Sequence, residues 1–299
     1  MQGVDTTAAW AAFLLLLALL CASAWLWGPP LATEWRRARV RRQPFPPAWR
    51  EALRGHMPAF VQLPADVQLQ LKKHAQVLIA ETPFIGCAGL VVTDEMRVLV
   101  AVQAALLLLN RRAGSFGNLR QVLLYPGAFV VNRAVPDTAG LTRDNRRVLS
   151  GESWQQGQVI LSWDDVRAGA AQPHDGHNVV LHEFSHQLDQ DHGAANGAPW
   201  VAGRERRAHW ARVMAAEFQQ LQARLARGEL GLIDPYGATD PAEFFAVLSE
   251  LFFERPLELA AAHPALYGEL AHCYRVSPLH WLDSSATLRP SVPRPHAGA

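Results

Sequence analysis

Apolar residues recur at helical spacing along several stretches of the chain, and short β-branched runs lie between them. Leu63–Glu81 and Thr93–Asn110 both predict helices, each with a residue near its start that favours a helix beginning, Pro64 or Thr93. The runs "RQVLLYP", "AFVVN" and "QVILSW" predict strands separated by turns. Because the predicted helices and strands do not alternate regularly as βαβ units along the chain, the pattern favours an α+β fold.

The second half of the chain is predicted to be mainly helical. A first helix covers about Asp175–Gln190 and ends in the loop "HGAANGAP". A second spans Arg204–Arg227, where Gly228 is placed to cap its end. A third covers Asp240–Phe253, with an N-cap aspartate and a proline in its first turn. The third helix is apolar almost all round, which predicts that it is buried.

The segment Ala8–Trp27 differs from these helices because it has no polar face. It carries no charge across 20 residues, which is long enough to cross a bilayer once. The only charged side chain before it is that of Asp5, whereas five arginines follow between residues 36 and 42. The positive-inside rule then predicts a single-pass protein of the inner membrane whose body lies in the cytoplasm. A secretory signal peptide is the alternative, but such a peptide has basic residues before its apolar run.

Changes in composition divide the chain into four parts. Residues 1–27 form the tail and transmembrane helix, 28–47 a proline- and arginine-rich linker, 48–283 a globular domain, and 284–299 a proline-rich flexible tail. The net charge of +1 gives no electrostatic argument for binding nucleic acid. The three cysteines are scattered, which argues against a disulfide framework or a zinc ribbon.

The sequence His-Glu-x-x-His lies on the first helix of the second half. Because residues four apart share a helix face, His182 and His186 are placed to bind one metal ion. Glu183 is then placed to take a proton from a zinc-bound water, whose pKa is lowered to roughly 7. This arrangement is typical of zinc enzymes that hydrolyse amide bonds. The alternative is a surface helix with two unrelated histidines.

A catalytic zinc site needs a third protein ligand, and the residues nearest the motif fit this role poorly. Asp189 lies two helical turns beyond His182, roughly 10 Å away, so we expect it to support the site or the helix end. His192 has the spacing of the third metzincin histidine, but Asp189 replaces the glycine at which metzincins bend the chain. Metzincins also need a methionine turn, and Met214 lies within a predicted helix.

Two glutamates of the buried third helix are the other candidates. Glu243 and Glu250 are two turns apart, so one could bind the ion while the other orients a ligand histidine. Glu243 could equally complete a capping arrangement with Asp240. The spacing alone leaves the third ligand undecided.

Four stretches of the chain together resemble one known family. They are "HEFSHQLD", "DPYGATDPAEFFAVLSELFF", "VTDEMRVLVAVQAALLLL" and "SGESWQQGQVILSW". Over about Pro47–Leu282 the chain resembles the Mlc titration factor A family of zinc-dependent peptidases, whose catalytic part is similar to the metallopeptidase domain of anthrax lethal factor. The resemblance implies a zincin-like fold of the gluzincin type. It also implies aminopeptidase-like activity on small substrates.

The resemblance further implies a role for each site residue. His182, His186 and Glu243 correspond to the ligands of one zinc ion, Glu183 to the general base and Tyr236 to a residue that stabilises the transition state. The expected function is therefore a membrane-anchored zinc metallopeptidase that acts on a peptide or protein substrate. The strand "QVILSW" is a candidate edge for pairing with this substrate, or an interior strand. The alternative function is a regulatory protein that sequesters a transcriptional repressor and has weak or vestigial peptidase activity.

Overall fold

The N-terminal unit of the chain ends at Pro44 and consists mainly of one long helix, α1 (Thr6–Arg41). Within the described residues, α1 alone is long and apolar enough to cross a membrane, a property that a signal sequence would share. The predicted linker is largely helical, since α1 continues through two consecutive prolines. Beyond them Glu34 pairs with Arg37 at 3.0 Å and with Arg41 at 3.2 Å, and such pairs support the helical turns that follow.

The second unit begins at Phe45. Over both units, the computed structural model describes residues 6–111, 115–136, 142–149, 151–154, 157–193, 195–199 and 203–281. The predicted tail at 284–299 lies outside these residues. The helices of the second unit are α2 (Pro47–His56), α3 (Pro58–Gln62), α4 (Ala65–Glu81), α5 (Asp94–Leu106), α6 (Trp163–Ala171), α7 (Val179–Asp189), α8 (Arg204–Ala226), α9 (Pro241–Glu254), α10 (Pro256–Ala262) and α11 (Pro264–Tyr274). Short 3-10 turns occur at Gln190–His192 and Pro235–Ala238.

A four-stranded sheet packs with these helices. The described strands are β1 (Phe84–Gly86), β2 (Gln121–Tyr125), β3 (Phe129–Pro136), β4 (Thr142–Leu149), β5 (Gly151–Trp154) and β6 (Gln158–Ser162). The strand order is β1-β2-β6-β5; β1, β2 and β6 are parallel, and β5 is antiparallel to β6. The strand "QVILSW" is therefore interior, and β5 occupies the edge. Strand β3 begins within the predicted run "AFVVN" and forms a separate antiparallel pair with β4, which the sequence pattern did not predict.

The two helices that matter most for the site begin at polar caps. Asn178 caps α7, because its Oδ1 accepts a hydrogen bond from the Leu181 N–H at 3.1 Å. Asp240 caps α9 as predicted, accepting from the N–H groups of Ala242 at 2.8 Å and Glu243 at 3.0 Å. Between their ends both helices are buried among apolar side chains of the core, so they are held against each other.

Candidate metal centre

Helices α7 and α9 bring two histidines and one glutamate to a common point. One ligand atom each from His182, His186 and Glu243 lie within 4.8 Å of one another. Oε2 of Glu243 is 3.0 Å from Nε2 of His182 and 3.5 Å from Nε2 of His186. The convergence of these atoms is the central feature of the site.

The donor set and its spacing fit a divalent metal ion. Ligand atoms that surround a tetrahedral zinc ion at ~2.1 Å lie roughly 3.4 Å from one another, and the two observed separations, 3.0 Å and 3.5 Å, are close to this. Two imidazole nitrogens and one carboxylate oxygen are the ligands of one class of catalytic zinc site. Since both rings present the same nitrogen, Nε2, to Glu243, the three residues could hold one ion without a change of helix packing.

Glu250, the second of the three glutamates of α9, lies against the first histidine. Its Oε1 lies 2.8 Å from Nδ1 of His182, on the side of the ring away from Nε2. Its Oε2 accepts a hydrogen bond from the backbone N–H of Asn178, the cap of α7, at 2.5 Å. A carboxylate bonded to the outer nitrogen of a ligand histidine fixes the ring orientation and its tautomer. The structure therefore places Glu243 beside both imidazoles and Glu250 behind the first one.

Glu183 is held in a narrow space between α7 and the edge strand. Its side chain is buried, with 5% of its surface exposed. A Cβ atom on Gly151, at the start of β5, would lie only 2.5 Å from Oε1 of Glu183 and 2.7 Å from its Cγ. Only a glycine leaves room for the carboxylate here. The sequence pattern did not identify Gly151, because the contact joins elements that lie 32 positions apart and has no local signal.

A cleft of about 350 Å³ opens beside His182, one of the three converging residues. Its lining includes Gly151, His182, Glu183 and Tyr236. Tyr236 lies in the 3-10 turn Pro235–Ala238, is 43% exposed, and its ring centroid is 6.0 Å from that of His182. Asp234 fixes this turn by accepting the Tyr236 N–H at 2.7 Å. The tyrosine therefore faces the same cleft as the glutamate of the motif.

The remaining candidates are placed elsewhere. Asp189 does not belong to the ligand group among the described residues, and its carboxylate binds backbone N–H groups of a nearby loop. Met214 is buried inside α8, so it does not form a methionine turn. His192 ends the 3-10 turn that follows α7, and its side chain lies outside the described structure.

The charges of the site are strongly coupled. Burial lowers the pKa of His182, but hydrogen bonds to Glu243 and Glu250 outweigh burial and raise it well above its ordinary value. Burial raises the pKa of the Glu243 carboxyl, but hydrogen bonds from His182 and His186 hold it well below its usual range. Burial raises the pKa of Glu183 to about 7. Three carboxyl groups thus surround two imidazoles, an excess of acidic groups that a divalent cation would balance.

Comparison with known proteins agrees with this geometry. The family model described as glucose-regulated metallo-peptidase M90 matches residues 32–275. The uncharacterized protein slr2042 of Synechocystis sp. is 38% identical over 267 residues, which cover 89% of this chain and 97% of that protein. Mlc titration factor A of Yersinia enterocolitica is 33% identical over 252 residues, 82% of this chain and 92% of the relative. Mlc titration factor A of Enterobacter sp. is 34% identical over 241 residues, 80% of this chain and 89% of the relative. The predicted resemblance is confirmed, and the chain belongs to the glucose-regulated metallopeptidase family M90.

Proposed function

We propose that this chain is a membrane-anchored zinc peptidase that hydrolyses peptide bonds in an aminopeptidase-like manner. Residues 48–283 would form its zincin-like catalytic domain. The main support is the convergence of His182, His186 and Glu243 beside the buried carboxylate of Glu183. Membership of a metallopeptidase family implies a metal ion, and the two nitrogen ligands with one oxygen ligand favour zinc.

Each site residue has a distinct part in this proposal. When bound, a zinc ion polarises the substrate carbonyl and lowers the pKa of a water molecule to roughly 7. His182, His186 and Glu243 would hold the ion, and Glu250 would keep the first histidine in the required orientation. Glu183 takes the proton of the attacking water and passes it to the leaving amine. The hydroxyl of Tyr236 donates a hydrogen bond to the carbonyl oxygen as negative charge develops there.

The position of β5 at the edge of the sheet supports a substrate that binds as an extended peptide. Strand β5 is the terminal strand of the sheet, and its first residue, Gly151, contacts Glu183. A peptide that pairs with β5 through backbone hydrogen bonds would pass beside the general base. The interior strand β6 is already paired with β2 on one side and β5 on the other, so it has no free edge for a peptide.

The length and apolar character of α1 support its proposed role as the membrane anchor. The arginines after its apolar half favour a catalytic domain in the cytoplasm. A transcriptional regulator is proposed as a partner besides the peptide substrate. The name of the relatives, Mlc titration factor A, supports this partner. Nucleic acid is not expected as a partner, since the net charge is +1.

Metal analysis and peptide cleavage by the full-length protein in detergent test this function. We expect one zinc ion per chain, cleavage of short chromogenic peptides from their amino terminus, and loss of cleavage on adding a chelator. Glu183→Gln should reduce kcat by roughly 10²–10⁴-fold and keep the zinc. A protein that binds no metal and cleaves no peptide contradicts the proposal.

A matched substitution, Glu269→Gln, controls for the loss of a buried carboxylate. Glu269 of α11 is 4% exposed and pairs with Arg206 at 2.8 Å, outside the cleft. This variant should keep wild-type activity. If Glu183→Gln abolishes cleavage but preserves the cellular phenotype, the binding of a regulator is the main function instead.

A further inference from the structure

Asp189 ties the end of α7 to a neighbouring loop. It lies three residues after His186, nearly one helical turn along α7, and is 4% exposed. Its Oδ2 accepts hydrogen bonds from the N–H groups of Asn196 and Gly197, both at 2.7 Å. Its Oδ1 accepts the Ala198 N–H at 2.9 Å. Because hydrogen bonds to an ionised acceptor are strong, the loop is held firmly to the helix that carries both histidines.

The same loop is pressed against the start of α9. Gly197 has φ +74°, and a Cβ atom there would lie 2.2 Å from the carbonyl oxygen of Pro241, the first residue of α9. On another side the loop is fixed by Trp210 of α8, whose Nε1 donates to the Gly197 carbonyl at 3.1 Å. Glu243 lies two positions after Pro241, in the same helical turn. The loop therefore connects the end of α7 with the turn that carries the third ligand.

We propose that Asp189 is a positioning residue for the metal site. Through the backbone of residues 196–198 it sets the distance between the end of α7 and the first turn of α9, and so the separation of His186 and Glu243. This inference rests on the proposed function, because it concerns the same ligands. Metal–ligand distances must be correct within about 0.2 Å, so even a small shift between the helices weakens binding.

Two substitutions break this connection at different points. Asp189→Asn keeps the size of the side chain, but its amide nitrogen cannot accept, so at least one of the three N–H groups loses its partner. Gly197→Ala keeps the carboxylate and forces the loop away from Pro241. Substitutions of residues that support metal ligands typically weaken metal affinity 10–100-fold, and we expect a loss in this range from each variant.

The measurements use the full-length protein in detergent. Zinc affinity is determined by competition with a chromophoric chelator, and the absorption spectrum of the cobalt(II) form reports the coordination geometry. Both variants should weaken zinc binding and change the cobalt spectrum. Because Asp189→Asn and Gly197→Ala break the same chain of contacts, their effects should not add. The double variant should bind zinc about as tightly as the single variant with the lower zinc affinity. If Asp189→Asn does not fold, Gly197→Ala alone carries the test.

Glu269→Gln again serves as the control, since Glu269 is as buried as Asp189, with 4% of its surface exposed, and pairs with Arg206 and His209. It should lower the Tm without changing zinc affinity. If Asp189→Asn lowers the Tm but leaves zinc affinity and the cobalt spectrum as in the wild type, Asp189 is only structural and the positioning role is overturned. A wild-type protein that binds no zinc would instead overturn the proposed function itself.

Discussion

Replacing Gly151 by alanine tests whether the narrow space beside Glu183 is needed for catalysis. The added Cβ atom would lie 2.5 Å from Oε1 and 2.7 Å from Cγ of Glu183, and 2.7 Å from Cγ2 of Val179. Non-bonded carbon atoms prefer separations of roughly 3.5–4.0 Å, so the Glu183 side chain must shift by about 1 Å. Since Cγ as well as the carboxylate is too close, turning the carboxylate alone does not relieve the contact.

The expected effect on catalysis is large. A misplacement of about 1 Å costs roughly 10²-fold in rate, and crowding in a packed region costs about 1–3 kcal/mol of folding free energy. Gly151→Ala should therefore lower kcat by ~10²-fold and also lower the Tm. The zinc content should stay at the wild-type level, because the atoms nearest to the new methyl group belong to Glu183 and Val179 and not to His182, His186 or Glu243.

Steady-state hydrolysis of chromogenic peptides, metal content and Tm are measured on the same preparation of full-length protein. Gly268→Ala in α11 is the matched control, since no heavy atom lies within 4 Å of its added Cβ, and it should keep the wild-type kcat. A folded Gly151→Ala enzyme with the wild-type kcat would refute the steric argument. Loss of zinc from that variant would show that the methyl group acts on the ligands instead.

Three further substitutions test other parts of the site. Glu250→Gln weakens the interaction at 2.8 Å with Nδ1 of His182, so zinc affinity measured by chelator competition should fall about 10–100-fold; an unchanged affinity argues against the orienting role. Tyr236→Phe should lower kcat by roughly 10²-fold with little change in KM, and steady-state kinetics with an unaltered kcat would remove Tyr236 from the mechanism. Burial raises the pKa of Glu254 from its usual 4.5 to about 7, so the folded state binds more protons than the unfolded state between these values and loses stability as pH rises through that range. Glu254→Gln should reduce this decline by about 3 kcal/mol in unfolding measurements from pH 4 to 8, leaving the part that Glu183 contributes; a decline as large as in the wild type contradicts the assignment to Glu254.

The starts and approximate lengths of α4, α5, α8 and α9 could be predicted from the sequence, because they depend on neighbouring residues. Thr93 caps α5 by accepting the Met96 N–H at 3.3 Å, as its position predicted. The cap at Asp240 is confirmed in the same way. Capping bonds join residues two or three positions apart, so the residue types alone indicate them.

The errors occur where local patterns are weak. Helix α7 begins at Val179 instead of Asp175, because the cap is Asn178, which also bonds the distant residues Gln103 and Glu254. The predicted linker after Trp27 is helical to Arg41, because residues beyond the prolines form their own helical contacts. Such choices depend on partners that a local pattern does not identify.

Two features could be predicted without any coordinates, the apolar segment near the N-terminus and the position of His182 and His186 on one helix face, since both are properties of a single helix. The third ligand was different: spacing left Glu243, Glu250 and His192 open, and the family resemblance favoured Glu243. Only the tertiary structure placed Glu243 at the two imidazoles, Glu250 behind His182, and Gly151 against Glu183. The physical reason is that these contacts join elements distant in the chain, and the packing of α7 against α9 and β5 decides which side chains meet.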